Sequence, residues 1–409
     1  MNSFIDLPSY TSYMQTIAKL SPLFSASDEP YIDYRFVENV FALTSGGRNI
    51  SRSDKVFDAL IGENLEMGVG VKTFRMPTNS NSQYEKIQEF TKFAREAGIK
   101  NLKGERLVTA ISEFRNNRVE ADAREFNINL SESFYHCFIR SGGKGLIYET
   151  PYPLINMEKL KPTDKNGQLT STYEHGSHVY FTDETNFYKY SFSKNVLYKR
   201  FDLCNREKLT QFDLEIDPEI WKKLSGFFEN SFSSIITSQY NGRTFDENTE
   251  ELEYVVLPLY GVKNGKKIVF EKSGINQWNA SGRLRKYGEA YIPIPSVIHQ
   301  LKPDFFPPRD QYFSLSLPNS KIVNASVCQD NSKALMSKPN DQLCQWLYKV
   351  IDPDFSDYDF NKPPNREPFT YEDLLRVGKD CVVVYKLSDD FQLEFGEIGK
   401  YEEFLENFE

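Results

Sequence analysis

Cysteine and histidine, the residues that build disulfide frameworks and zinc sites, are scarce in this chain of 409 residues. It has five cysteines and four histidines. The cysteines are odd in number and show no Cys-x-x-Cys spacing, which favours buried thiols in a reducing compartment over disulfides or bound zinc. No apolar run reaches the roughly 18 residues of a membrane span, and the opening MNSFIDLPSYTSYMQ has no basic or apolar leader segment. We therefore expect a cytoplasmic protein with no membrane segment.

Positive charge is in deficit over the chain as a whole. The 49 Lys and Arg residues face 58 Asp and Glu residues, which gives a net charge of −9. This balance argues against a protein that coats nucleic acid nonspecifically, but it does not exclude DNA binding through one face. The segment from Gly261 to Gln300 holds seven basic and two acidic residues, whereas the final stretch LEFGEIGKYEEFLENFE is acidic. A solvated surface is the ordinary alternative for such asymmetry.

The chain does contain enough apolar and aromatic material for two cores. Its length predicts two domains of about 150–250 residues each. Residues 1–235 are interpreted as a mixed α/β domain, with helices predicted over 9–24, 31–45, 81–98 and 104–126, a strand pair within 56–74, and further strands within 130–205. The polar segment 236–252 is interpreted as a linker. Residues 253–409 are interpreted as a β-dominated domain with an Asn-Gly hairpin turn in VKNGKKIVF.

Two charged residues stand inside the otherwise apolar strand pair VFDALIGENLEMGVGVKTF. A charge in a buried strand is costly unless it is paired or used. If Asn64 marks the turn, Asp58 falls opposite Gly70, and the alternation of strand side chains places Asp58, Gly70 and Lys72 on one face. Either this face is a functional site, or Asp58 and Lys72 form a cross-strand ion pair on a half-exposed sheet.

This layout resembles the PD-(D/E)xK nuclease core, in which an aspartate on one strand and an acidic-x-lysine on the next bind Mg²⁺ and orient a water. The resemblance implies that Asp58 is a metal ligand and that Lys72 positions or helps to deprotonate the water. This chain departs from the pattern because Gly70 stands where the motif has an acid. Glu38, in the helix before the strands, is the first candidate for the missing carboxylate. Asp54 is the second.

Two weaker candidates for that carboxylate follow the lysine. Gln83 and Glu85 lie in the helix predicted over 81–98.

Three segments of the C-terminal domain resemble the recognition domain of restriction endonucleases of the NgoFVII and BfiI kind. They are SGINQWNASGRLRKYGEAYIPIP, DQYFSLSLPNSK and QDNSKALMSKPNDQLCQWLYKVI, and they occur in the family's order. The resemblance covers about 150 residues of the chain and implies a pseudobarrel similar to the B-three domain of plant transcription factors. Two arms of such a domain grip the major groove of DNA; here they would be residues 278–286 and 331–340.

The side chains of the two arms suit DNA. Arginine pairs with guanine edges, asparagine with adenine, and lysine and serine reach phosphates. The resemblance implies DNA contacts by Trp278, Asn279, Ser281, Arg283, Arg285, Lys286, Asn331, Lys333, Ser337, Lys338 and Asn340. Each of these residues taken alone also fits an exposed loop.

The four histidines do not supply an alternative catalytic site. The family can pair this recognition domain with a phospholipase-D-like nuclease, whose His-x-Lys motif needs no metal. None of His136, His175, His178 and His299 is followed two residues later by lysine. The middle block HVYFTDETNFYKYSFSKNVLYKRF fits either a DNA-tracking surface or an aromatic core. Within it, Lys194, Lys199 and Arg200 are candidate phosphate contacts.

Three functions remain open from the sequence. The first is a type II restriction endonuclease, with an α/β (α+β) Mg²⁺ nuclease domain around a mixed central sheet and an all-β pseudobarrel that binds a short specific site in double-stranded DNA. The second is a catalytically inactive DNA-binding regulator, and the third is a metal-independent nuclease. The enzyme class implies a cognate DNA methyltransferase in the host. A homodimer on DNA is expected, with one site acting twice as the alternative.

Overall fold

The computed structural model describes most of the chain. The described residues are 4–51, 55–76, 80–90, 99–203, 209–226, 253–276, 288–319, 321–352, 354, 367–387 and 390–408. The predicted linker and the first predicted arm, residues 278–286, lie outside these ranges, as does Asp54.

A six-stranded mixed sheet forms the centre of the N-terminal part. Its order is β1 (Arg48–Asn49), β2 (Ala59–Ile61), β3 (Met67–Arg75), β5 (Phe134–Ser141), β6 (Lys144–Pro151) and β12 (Thr210–Asp213). Strand β3 runs parallel to β5, and the other neighbours are antiparallel. Helices α1 (Leu7–Leu20) and α2 (Tyr34–Ser45) bury apolar side chains against one face of this sheet. The mixed α/β organisation expected from the sequence is therefore present.

Helix α3 (Gly104–Phe126) has the bounds predicted from its amphipathic pattern. The next residue is Asn127, whose left-handed backbone (φ 59°) is one that asparagine tolerates after a helix. Val119, Ala123 and Phe126 pack on the second face of the mixed sheet. Val108 and Ile111 pack into the core of a second sheet. Helix α3 is thus a shared support for both sheets.

The second sheet contains β4 (Ser82–Glu89), β11 (Val196–Asp202), β10 (Phe187–Ser191), β9 (His178–Thr182) and β7 (Lys161–Pro162), with β8 (Glu174–His175) paired to β9. The helix predicted over 81–98 is wrong for residues 82–89. The spacing of Tyr84, Ile87 and Phe90 imitates a helical face, but the segment pairs along β11 from Glu89 opposite Val196 to Ser82 opposite Asp202. This long-range ladder pairs one side of the segment and makes it the end strand of the second sheet. Residues 91–98 lie outside the described residues.

The C-terminal part folds around a nearly closed seven-stranded sheet. Its order is β13 (Tyr254–Pro258), β20 (Lys379–Leu387), β21 (Asp390–Glu397), β17 (Tyr312–Ser316), β18 (Ile322–Cys328), β19 (Ala334–Lys338) and β16 (Ile292–Pro293). The two end strands, β13 and β16, approach each other and bring the sheet towards a barrel. This architecture agrees with the predicted β pseudobarrel.

Short helices and one hairpin surround this barrel. The helices are α4 (Ser296–Leu301), α5 (Asp341–Ile351), α6 (Tyr371–Val377) and α7 (Lys400–Glu406). The hairpin joins β14 (Gly261–Lys263) to β15 (Lys266–Ile268) through the predicted turn, where Asn264 (φ 53°) and Gly265 (φ 73°) both adopt the positive φ that a two-residue hairpin turn requires. No helix within the described ranges is both long and apolar enough to cross a membrane.

Candidate functional site

Asp58 and Lys72 meet just before the first residue of β2, where β3 continues without β2 beside it. The register pairs Ala59 with Val69, which places Asp58 opposite Gly70 as predicted. One carboxylate oxygen of Asp58, Oδ2, accepts the backbone N–H of Val71 at 2.7 Å and lies 3.5 Å from Lys72 Nζ. The two side chains are 20% and 21% exposed. The pair is therefore half-open to solvent, at the edge of the sheet.

Glu38 joins this pair from helix α2. The helix is capped at its start by Asp33, whose side chain accepts the Arg35 N–H, and it buries Glu38 to 6% exposure. Burial raises the pKa of the Glu38 carboxyl, while a hydrogen bond with Ser51 lowers it. The negative charge of Asp58 raises this pKa and the positive charge of Lys72 lowers it, so both groups act on Glu38 through space. Glu38 therefore lies close enough to Asp58 and Lys72 for their charges to act on its carboxyl.

Lys72 is a cation in this environment. Burial is the largest single effect and lowers the pKa of its ammonium, but the Asp58 carboxylate and the other nearby groups together outweigh burial. Smaller contributions come from Tyr135, Cys137 and Glu38, and the pKa of Lys72 is raised overall. A lysine in this state attracts and positions anions.

The missing acid at Gly70 has a steric cause. A Cβ built at Gly70 would lie 2.7 Å from the ring of Tyr135 and 2.9 Å from the ring of Tyr152. These rings stack on each other with centroids 4.2 Å apart, and Tyr152 donates its hydroxyl to the Val56 carbonyl at 2.9 Å. Restoring the usual acid-x-lysine by Gly70→Glu therefore displaces the two tyrosines, and the second carboxylate has to come from another element.

Glu85 is a further carboxylate near Lys72, and it lies on strand β4 where the sequence predicted a helix. It stands opposite Lys199 in the register of β4 and β11. Burial raises the pKa of Glu85, while a hydrogen bond with Gln83 and the charge of Lys72 lower it. Glu38 and Glu85 therefore approach Lys72 from different elements. Glu85 was a weaker candidate from the sequence. The helical spacing of its segment did not indicate that the second sheet places Glu85 near Lys72.

The carboxylates near Lys72 supply at most part of the ligand set of a magnesium ion. Mg²⁺ is usually held by one or two protein carboxylates together with waters and substrate phosphate oxygens. The Oδ2 atom of Asp58 accepts the Val71 N–H, whereas its Oδ1 atom accepts no hydrogen bond from the described residues. No group of three His, Cys, Asp or Glu side chains suited to a metal occurs in the ranges that the structure describes. Asp58 is therefore the described carboxylate beside Lys72 with an oxygen free for a ligand, and Glu38 and Glu85 are the candidates for a second donor.

The basic residues of the middle block differ in their exposure to solvent. Lys199 is only 4% exposed, its Nζ lies over the Phe201 ring, and burial lowers its pKa to about 8. The prediction that Lys199 contacts phosphate is therefore wrong, because strand alternation turns it into the space between the two sheets. Lys194 is exposed, and Arg200 is paired with Asp202 at 2.9 Å.

The second predicted arm follows β18 and includes β19. Asn331 and Lys333 are exposed, Asn331 with a left-handed backbone (φ 58°). Lys338 is exposed and donates to the Tyr312 hydroxyl at 2.6 Å. Asn340 is half-buried at the start of α5.

Ser337 differs from the other described residues of this arm. It is 2% exposed, and its hydroxyl donates to the Pro339 carbonyl at 2.8 Å and accepts the Leu343 N–H at 3.0 Å. Both bonds hold the start of α5 against the barrel. The surface that the arm offers to a partner consists of its asparagine and lysine side chains.

Comparison with known proteins bears on the C-terminal part. Residues 249–388, roughly a third of the chain, match the family described as the NgoFVII C-terminal B3-like DNA-binding domain. The matched range contains both predicted arms, and the nearly closed barrel fits such a domain. No curated protein matches the chain. The C-terminal resemblance seen in the sequence is thereby supported, and with it the binding of DNA.

Proposed function

We propose that the chain is a type II restriction endonuclease that cuts double-stranded DNA at a short specific site with Mg²⁺. The observation that carries this proposal is the convergence of Glu38, Asp58 and Lys72 at one sheet edge, in a chain whose C-terminal part matches a restriction-enzyme DNA-binding domain. On this proposal residues 1–235 form a PD-(D/E)xK-like nuclease domain and residues 253–409 the reading domain.

Each residue of the site has a distinct part in the proposed reaction. When bound, Mg²⁺ supplies an activated water and neutralises charge that develops on the phosphodiester. Asp58 is the principal ligand, held in place by the Val71 N–H. Lys72 draws the scissile phosphate towards the site and orients the attacking water. Glu38 completes the anionic pocket from helix α2, where burial raises the pKa of its carboxyl.

The reading surface is proposed to lie on the two arms. Asn331, Lys333 and Lys338 offer exposed side chains from the second arm, with Asn340 beside them. From the first arm we retain the sequence-derived contacts Trp278, Asn279, Ser281, Arg283, Arg285 and Lys286. Because one site must cut two strands, we propose a homodimer on DNA. A methyltransferase of matching specificity is the proposed partner that protects the host.

Digestion of plasmid DNA tests the function directly. Incubation with Mg²⁺ is expected to give discrete bands, and EDTA is expected to abolish them. Cleavage that survives EDTA would establish the metal-independent nuclease in place of our proposal. Tight binding to one site without cleavage of any DNA would establish a regulator, the second candidate, which Gly70 in place of the usual acid favours.

Loss of base contacts is expected to reduce specific binding more than general binding. Arg283→Ala or Asn331→Ala removes a base-edge contact worth about 1–3 kcal/mol, so the preference for cognate over random DNA should fall by about tenfold. Fluorescence anisotropy with both DNAs measures this preference. The matched control is Lys263→Ala with Lys266→Ala on the β14–β15 hairpin, which should weaken binding to all DNA and flatten its salt dependence. An unchanged preference in both arm variants would refute the assignment of the arms.

Glu38→Gln and Glu85→Gln distinguish the two candidates for the second carboxylate. Each substitution keeps the size of the side chain and removes its charge. If Glu38 is the second ligand, Glu38→Gln should weaken Ca²⁺ binding and slow cleavage by about a hundredfold, whereas Glu85→Gln should stay within about threefold of wild type. Calorimetry with Ca²⁺ and single-turnover cleavage measure the two effects. The reverse ranking would assign the role to Glu85.

A further inference from the structure

A buried ion cluster joins the two predicted domains. It consists of Lys55, Asp122 and Glu125 from the N-terminal part and Lys379 from strand β20, and we call these four residues the interdomain ion cluster. Lys379 Nζ lies 2.6 Å from Asp122 Oδ1 and 3.3 Å from Glu125 Oε2. Lys55 Nζ lies 2.9 Å from Glu125 Oε1. All four side chains are at most 1% exposed.

The cluster also holds the backbone that leads to Asp58. Asp122 uses its second oxygen, Oδ2, to accept the Val56 N–H at 2.8 Å. Lys55 donates to the Phe395 carbonyl of strand β21 at 2.9 Å. The segment 55–58 is thus fixed on one side by Asp122 and on the other by the barrel, and Asp58 lies two residues beyond Val56. The carboxylate of Asp122 therefore bridges Lys379 and the backbone N–H of Val56, just before the strand that follows Asp58.

Such a cluster is a poor device for stability alone. Removing four charges from water costs free energy that their mutual attraction repays only with good geometry, and apolar side chains of similar volume often stabilise a fold as well or better. What the cluster provides beyond stability is a fixed geometry, because each carboxylate has its partners at set positions. The geometry fixed here is that of the segment bearing Asp58.

The other side of strand β20 contacts the basic hairpin. A bulge at Lys379–Cys381 lets two consecutive side chains be buried in different directions. Asp380 accepts the Tyr371 hydroxyl at 3.0 Å and lies 3.3 Å from Lys267 Nζ on strand β15. Lys263 and Lys266 of the same hairpin are exposed. A continuous set of contacts therefore runs from the hairpin through the bulge to the interdomain ion cluster.

We infer that Lys379 is a positioning residue for the reaction: acting through Asp122, it holds Asp58 in place for cleavage and so makes the nuclease site depend on the docked C-terminal domain. This inference rests on the proposed function. Lys379 touches neither substrate nor metal on this account. Its effect reaches the site through one bridging carboxylate and one backbone N–H.

Lys379→Met tests the inference against Arg124→Met as a matched control. Arg124 is another basic contact between the parts, donating from helix α3 to the Val350 carbonyl at 3.2 Å, without a bond to Val56. Lys379→Met is expected to slow single-turnover cleavage at saturating DNA at least about tenfold and to speed hydrogen exchange in the peptide that contains Val56. DNA affinity should stay within about threefold. Arg124→Met should leave all three readouts near wild type.

Several results would overturn the inference. Unchanged cleavage and hydrogen exchange in Lys379→Met would contradict it. A variant that loses only DNA affinity would also contradict it, and so would an equally large effect of Arg124→Met. If Lys379→Met does not fold, hydrogen exchange in the wild-type protein provides the test. The Val56 amide should be protected as strongly as the amides of Val382–Val384, because the same local unfolding event must expose both segments. Markedly faster exchange at Val56 would refute the link. If wild-type protein cuts no DNA, the proposed function fails while the exchange readout still stands.

Discussion

Asp58→Ala is expected to abolish DNA cleavage, by about a thousandfold or more, while the protein still binds its specific site. Loss of several kcal/mol of metal-dependent stabilisation gives a rate effect of this size. Binding survives because the match to a DNA-binding domain covers residues 249–388 and excludes the candidate site. Single-turnover cleavage with Mg²⁺ and DNA-binding assays with Ca²⁺ measure the two properties on one preparation.

The control for this prediction is Glu63→Ala. Glu63 is an exposed carboxylate in the turn between β2 and β3, so its removal changes the charge of the same hairpin without touching the site. Ca²⁺ affinity should fall in Asp58→Ala and remain in Glu63→Ala. Full cleavage activity in Asp58→Ala would refute the nuclease site, whatever Glu38 and Glu85 do.

The core of the candidate site could be predicted because it depends on local order. Alternation along two strands joined by a short turn is enough to place Asp58 opposite Gly70 and Lys72 beside them, and the register agrees. The same alternation could not decide between a site and a simple ion pair, since the 3.5 Å separation of Asp58 and Lys72 satisfies both. What favours a site is the buried carboxylate of Glu38 nearby, which a simple ion pair does not need.

The parts that escaped prediction depend on contacts between distant segments. Residues 82–89 have helical spacing, and only pairing with β11, more than a hundred residues away, makes them a strand. Lys199 carries a charge that composition assigns to the surface, yet the sheet turns it inward. The bond from Asp122 to Val56 joins a helix to a loop 66 residues earlier, and its partner Lys379 comes from the other predicted domain. No local pattern encodes such pairs.

The C-terminal part was more predictable for a different reason. Its three segments share the composition and order of a known recognition domain, so the resemblance supplied the topology that alternation alone does not. Even there, a residue's position in a motif did not determine its exposure. Ser337 lies in the predicted arm but uses its hydroxyl to hold helix α5. Burial, which the structure supplies, separates such supports from the exposed Asn331 and Lys333.

Lys72→Met is expected to remove cleavage by about a hundredfold or more while Ca²⁺ binding at neutral pH persists, in contrast to Asp58→Ala. The ammonium attracts the phosphate and orients water, and loss of one such preorganised donor costs about a hundredfold to a thousandfold. Lys72→Arg should recover part of the rate, because a cation is retained, but not all of it, because the guanidinium has a different shape. Equal loss of Ca²⁺ binding in Lys72→Met and Asp58→Ala would contradict this division of roles.

The same variant has a pH signature that follows from Glu38. Burial and Asp58 raise the pKa of Glu38, and Lys72 lowers it. Removing Lys72 must therefore raise this pKa further, so that Glu38 takes up its proton at a higher pH as the solution is acidified. If ionised Glu38 helps to hold the metal, Ca²⁺ binding by Lys72→Met should be lost at a higher pH than in wild type, and adding Glu38→Gln should remove the difference. A binding curve that does not shift in Lys72→Met would show that neither glutamate is the second ligand, because Lys72 lowers the pKa of both Glu38 and Glu85. A shift that persists when Glu38→Gln is added would assign the role to Glu85.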